Sequence, residues 1–68
     1  METTIYWSQQ LISLQEDFKH KNYDTSLGFA QVCCRAALGA AKGGHESISE
    51  EILDLRDLAL KEHQVRSI

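Results

Sequence analysis

Apolar side chains in the first third of the chain recur at the spacing of an α-helix. Four of them follow one another at intervals of four, three and four residues: Trp7, Leu11, Leu14 and Phe18. This spacing places them on one face of a helix, which we expect to span residues 4–20. Residues 3–7 are β-branched and aromatic, so a short N-terminal strand is the alternative for that segment.

The second segment is apolar around most of its circumference. Asp24 or Thr25 is placed to cap a helix at its start, and Gly43 to end it in the left-handed conformation. The polar residues between these ends fall within about 40° of one another on a helix: Gln31, Arg35 and Lys42. A helix with so narrow a polar stripe is typical of a buried element. We therefore predict a central, buried helix over residues 25–42.

The third segment has a clear helix start. Ser47 and Glu50 have the spacing of a capping box, and Ser49 is the competing cap. A core stripe follows at helical periodicity: Ile48, Ile52, Leu55 and Ala59. We predict a helix over residues 48–65, with Glu62 paired to Arg66 on its outer surface.

Further apolar residues lie beside these core stripes, where three short helices offer too little mutual cover. They are Ile5, Ile12, Leu53, Leu58, Leu60 and Val65. A chain of 68 residues and 7.7 kDa forms one domain, residues 1–68, and a core this small contributes only about 3–5 kcal/mol. The sequence thus predicts a small all-α, three-helix unit, a helical hairpin plus a third helix. We expect these flanking residues to complete it by self-association into a helical bundle, with a symmetric dimer as the default.

The formal net charge is −3, and three acidic residues form one stripe on the third helix. Glu50, Asp54 and Asp57 stand at positions i, i+4 and i+7, on the side away from the core stripe. A solvated face explains such a stripe. The alternative is a docking surface for a basic partner protein, because like charges at this spacing slightly destabilise a helix.

No combination of residues predicts a cofactor, a metal site or catalysis. Cys33 and Cys34 are adjacent, so they diverge by about 100° on a helix and cannot clamp a metal as C-x-x-C does. His20, His45 and His63 lie in separate segments without metal-binding spacing. Glycines 39, 43 and 44 match no phosphate-binding pattern, and no serine lies in a nucleophile elbow. We therefore expect no enzyme and no cofactor.

The leading functional hypothesis is a non-catalytic interaction protein. It acts as a regulatory modulator or adaptor through protein–protein binding and, by analogy of size and class alone, resembles phage or mobile-element accessory proteins. The start of the chain lacks the basic and apolar regions of a secretory signal, and no segment is long and apolar enough for a membrane span. We therefore expect a cytoplasmic protein that does not enter a membrane.

Two other classes of function remain as alternatives. The first is a dimeric nucleic-acid-binding regulator that works through four basic residues: Lys19, Lys21, Arg35 and Lys42. Charge argues against it, because the start of the third helix is acidic and repels phosphates. The second is a metal- or redox-responsive sensor, in which Arg35 lowers the pKa of a neighbouring thiol.

Overall fold

Three helices make up the computed structural model, which describes the backbone of residues 3–67 and the side chains of residues 4–64. Helix α1 spans Thr3–Lys19, α2 spans Ser26–Lys42, and α3 spans Glu46–Ser67. No strand occurs among the described residues, and residues 3–7 belong to α1. The helix–helix contacts form a compact all-α unit, which confirms the predicted fold class.

Helix α1 ends in a Schellman turn without a glycine. The amide of Asn22 donates to the carbonyl of Asp17 at 2.8 Å, and that of Lys21 donates to the carbonyl of Phe18 at 3.3 Å. This turn needs one residue at positive φ, and Lys21 takes that conformation with φ 56°. Since the left-handed region favours glycine, contacts of the Lys21 side chain must hold the turn in place.

Helix α2 begins and ends with caps that the sequence predicts only in part. Thr25 is the N-cap, and its Oγ1 accepts a hydrogen bond from the amide of Gly28 at 2.9 Å. The predicted left-handed terminator, Gly43, is wrong: its φ is −83°, whereas Gly44 has φ 85°. The amide of His45 closes the turn on the carbonyl of Ala40 at 2.8 Å, so the left-handed residue stands one position later.

Helix α3 begins earlier than the cap signals predict. It starts at Glu46, and the carbonyl of His45 accepts the amide of Ser49 at 3.0 Å. Ser47 and Ser49 both lie inside the helix, so neither is its cap. The buried Ser49 hydroxyl instead donates to the carbonyl of Ala37 in α2 at 2.9 Å. A predicted capping residue is thus a hydrogen-bonded link between two helices.

The core lies between α2 and α3, and α1 closes it from one side. Ile52, Ala59 and Cys33 are fully buried at 0 % exposure. The other core residues are Leu11, Leu14, Phe29, Ala30, Ala37 and Leu55. Of the residues that we expected in the core, Phe18 and Ile48 pack against this cluster while partly buried, and Trp7 is half-buried.

Helix α1 covers only one side of the α2–α3 hairpin and contacts α3 more than α2. The Trp7 indole lies directly over Gly39, where an added Cβ would stand 2.5 Å from the ring. Because α1 packs on that side only, α2 is not the buried helix that its composition indicates. Its apolar side chains Leu27, Val32 and Leu38 are 44 %, 53 % and 62 % exposed.

Candidate interaction surface

The side of the α2–α3 hairpin away from α1 is an open, mainly apolar groove of about 410 Å³. Ala37 and Ser49 are its buried members. The remaining lining residues are Cys34, Leu38 and Ala41 of α2 and Leu53 and Arg56 of α3. We call this groove, together with the exposed Leu27 two stripe positions before Cys34 on α2, the open face. Its most prominent side chain is Leu38, at 62 % exposure.

Both helices present the open face with the 4–3 spacing of helices that pack along their length. On α2 the stripe runs Leu27, Gln31, Cys34, Leu38 and Ala41, and on α3 it runs Ser49, Leu53, Arg56, Leu60 and His63. Alternation of three and four residues keeps a stripe facing a parallel or antiparallel neighbour. The open face therefore has the pattern of a helix-packing surface.

The residues that we expected to mediate self-association lie on two helices and differ in exposure. Ile5 and Ile12 are exposed on α1, at 58 % and 57 %, and Leu58 is 50 % exposed on α3. Leu53 and Leu60 are half-buried and pack against the core, so they contribute only edges to a surface. The side chain of Val65 lies outside the described residues.

Leu27 and Leu38 are the residues that the sequence reasoning missed. Helix α2 is apolar around most of its circumference, which suggested burial on every side. Helix α1, however, covers only one side. The signal that could have found them is the 4–3 stripe of α2, which is distinct from the core positions of the same helix. An apolar helix with two such stripes has two packing faces.

The predicted acidic stripe is exposed at all three positions, Glu50, Asp54 and Asp57. Asp57 is held by the neighbouring guanidinium of Arg56 at 2.8 Å and 3.1 Å. This ion pair raises the pKa of Arg56. Glu50 and Asp57 lie within about 60° of Leu53 around the helix and border the open face on its α3 side, whereas Asp54 lies about 100° from Leu53.

The basic residues of the nucleic-acid alternative are divided between two places. Arg35 and Lys42 lie exposed on α2, whereas Lys19 and Lys21 lie at the end of α1. Lys21 is already paired with Glu62 of α3. The structure thus brings the four cations into no single patch.

The two thiols occupy different environments. Cys33 is buried in the core, and burial raises the pKa of its thiol to about 11, so it stays protonated at neutral pH. Cys34 lines the open face, with its Sγ 4.0 Å from the Nη1 of Arg56. The cation that the structure places beside a thiol is Arg56, and the expected effect of Arg35 stays a prediction.

Two of the three histidines lie on different elements of the fold. His20 pairs with Glu16 at 3.3 Å on the surface of α1, and His45 lies in the turn between α2 and α3. Within residues 3–67, no group of three or more His, Cys, Asp or Glu side chains is placed to hold a metal ion. Over the same stretch, no helix combines the length and apolar character that crossing a membrane requires.

A polar cluster around Glu62 connects α3 to the start of α2 and to the turn between α1 and α2. The carboxylate accepts hydrogen bonds from the Tyr23 and Ser26 hydroxyls, each at 2.7 Å, and pairs with the Lys21 ammonium. These contacts lower the pKa of Glu62 to about 2, with Lys21 the largest cause. Glu62 thus contacts α2 and the turn before it, while the side chain of Arg66, its predicted partner, lies outside the described residues.

The same contacts explain the left-handed turn at Lys21. Its ammonium also lies 5.3 Å from the centre of the Phe18 ring, which stacks on Phe29 at 5.6 Å. Tyr23 packs against both rings. We call Glu62, Lys21, Tyr23 and Ser26 the Glu62 clamp, since the other three side chains are all hydrogen-bonded to the Glu62 carboxylate.

Comparison with known proteins adds no family to this description. No protein family, curated protein or solved structure matches the chain.

Proposed function

We propose that this chain is a non-catalytic helical interaction protein, a small modulator or adaptor that acts through self-association and protein–protein binding. The observation that carries this proposal is the open face. It combines exposed Leu27 and Leu38 with a groove between α2 and α3. Contiguous apolar surface of this kind is typical of protein-binding sites.

The surroundings of the open face support the same function. Glu50 and Asp57 of the acidic stripe border the apolar groove, as charged rims border the apolar centres of protein interfaces. We propose this stripe as the docking surface for a basic protein partner. The two free thiols, one of them in the core, are suited to a reducing compartment, and we propose the cytoplasm as the site of action.

Size-exclusion chromatography with light scattering tests the proposal directly. We expect wild-type protein at about 100 µM to have a mass greater than the 7.7 kDa of one chain. Leu38→Glu places a charge at the centre of the open face and should reduce the mass to that of one chain, because burying an unpaired charge is costly.

Ile12→Glu is the matched control, since Ile12 is almost as exposed as Leu38 but lies on α1. It should leave the mass unchanged, and circular dichroism should show both variants to be helical. Wild-type protein of single-chain mass overturns self-association. Loss of assembly in Ile12→Glu alone overturns the open face as its surface.

A further inference from the structure

We infer that the acidic border of the open face on α3, formed by Glu46, Glu50 and Asp57, recognises α2 of a second copy of this chain. This inference rests on the proposed function and names its partner. Two copies meet through their open faces about a two-fold axis that runs along the helices, so that α2 of each copy lies antiparallel on α3 of the other. The result is a core of four helices with one α1 on each outer side.

Charge on the two borders of the open face argues for this arrangement. On α2 the border beside Leu38 is basic: Arg35 and Lys42 lie within about 60° of it on the helix, and α2 contains no Asp or Glu. On α3 the border beside Leu53 is acidic, and Glu46, Glu50 and Asp57 lie within about 60° of it. All five border residues are exposed.

The arrangement of the two borders selects the second copy. Within one chain they lie on opposite sides of the groove, so Arg35 and Lys42 cannot contact the acids of their own α3. A two-fold axis along the helices places α2 of one copy opposite α3 of the other. The basic border then meets the acidic border twice in each dimer, as an isologous interface requires.

The register inside the hairpin predicts which residues meet. Ser49 hydrogen-bonds to Ala37 and Glu62 to Ser26, so residues at the same height in α2 and α3 have numbers that add to about 87. An axis parallel to the helices preserves height. It therefore brings Lys42 to the level of the partner's Glu46 and Arg35 to the level of the partner's Glu50.

The dimensions of the face are sufficient for a specific but modest dimer. Helix α2 has 17 residues, which is about 25 Å, and two packed helices present a width of about 20 Å. Covering this area on both copies buries on the order of 1,000 Å², the lower end for a specific interface.

A charge exchange between two variants tests this geometry. One variant carries Arg35→Glu and Lys42→Glu, and the other carries Glu46→Lys and Glu50→Lys. Each alone opposes like charges across both halves of the interface, so we expect its dimer dissociation constant at low salt to rise at least about tenfold over wild type. Mixed in equal amounts they present opposite charges in both halves, and a heterodimer of nearly wild-type affinity should form.

Glu51→Lys and Lys19→Glu form the matched control pair, because both residues are exposed away from the open face; neither should change the dissociation constant by more than about twofold. Dissociation constants come from sedimentation velocity, and native mass spectrometry identifies the heterodimer.

If wild type dimerises and both exchange variants do so equally well, the geometry is wrong while self-association stands. Failure of the mixture to recover, or assemblies larger than a dimer, also overturns the two-fold arrangement. Monomeric wild type removes the self-association on which this inference rests.

Discussion

At the scale of single residues, polar side chains in this small protein connect helices more than they cap them. Ser49 and Glu62 both belong to α3, and each forms its contacts with α2 or with the turn before it. Their partners are distant in sequence, so no local pattern indicates them. Local rules correctly place Thr25 at the start of α2 because that cap bonds only three residues ahead.

The pH dependence of stability should report the Glu62 clamp. The pKa of Glu62 is lowered from 4.5 to about 2 in the folded protein. As pH falls, the Glu62 carboxylate is therefore protonated at a higher pH in the unfolded chain than in the folded one. The stabilisation is complete above about pH 4.5 and is lost between there and about pH 2. Urea unfolding should show Glu62→Gln to be less stable than wild type at neutral pH, with the difference narrowing toward pH 3.

Glu51→Gln provides the control for this measurement, because the Glu51 side chain is exposed on the same helix. Its difference from wild type should stay small and nearly independent of pH. A Glu62→Gln difference that does not narrow on acidification contradicts the role assigned to the clamp.

At the scale of helices, the sequence predicts three helices and the faces that α1 and α3 turn toward the core. It does not predict where one helix ends and the next begins. Leu11, Leu14, Ile52, Leu55 and Ala59 are buried because periodicity alone determines which residues share a face. The start of α3 could not be predicted this way. It depends on the turn at Gly44 and His45, where the end of one helix leads directly into the next.

Ser47 and Ser49 at the start of α3 distinguish two roles for a serine there. A helix cap predicts that Ser47 matters more for stability, and a hydrogen bond to α2 predicts that Ser49 does. Ser49→Ala leaves the buried carbonyl of Ala37 without its side-chain donor and should reduce the free energy of unfolding by about 1–3 kcal/mol. Ser47→Ala makes the same chemical change two positions earlier on an exposed site and should change it by no more than about 0.5 kcal/mol. Chemical denaturation measures both, and a larger loss in Ser47→Ala contradicts the link.

The candidate surface was harder to predict than the core for a related reason. The apolar surplus was correctly recognised in Ile5, Ile12 and Leu58, which are exposed. Leu27 and Leu38 escaped because composition shows that a helix is apolar without showing which of its sides a neighbour reaches. That depends on where α1 packs, and Gly39 determines this by admitting the Trp7 ring.

At the scale of the whole molecule, the protein is an α2–α3 hairpin that α1 covers on one side and that is open on the other. A chain of 68 residues buries only roughly 60 % of its unfolded surface. Covering the open face with a second copy adds apolar burial that the single chain lacks. Folding and association are then linked, since anything that binds only the folded state stabilises it.

The concentration dependence of thermal unfolding measures this linkage most directly. For a dimer of this size the midpoint temperature of wild-type protein should rise by about 5 °C for each tenfold increase in concentration. Leu38→Glu should unfold at a lower temperature and without any such dependence. A wild-type midpoint that stays constant from about 5 to 500 µM contradicts the claim that a second copy covers the open face.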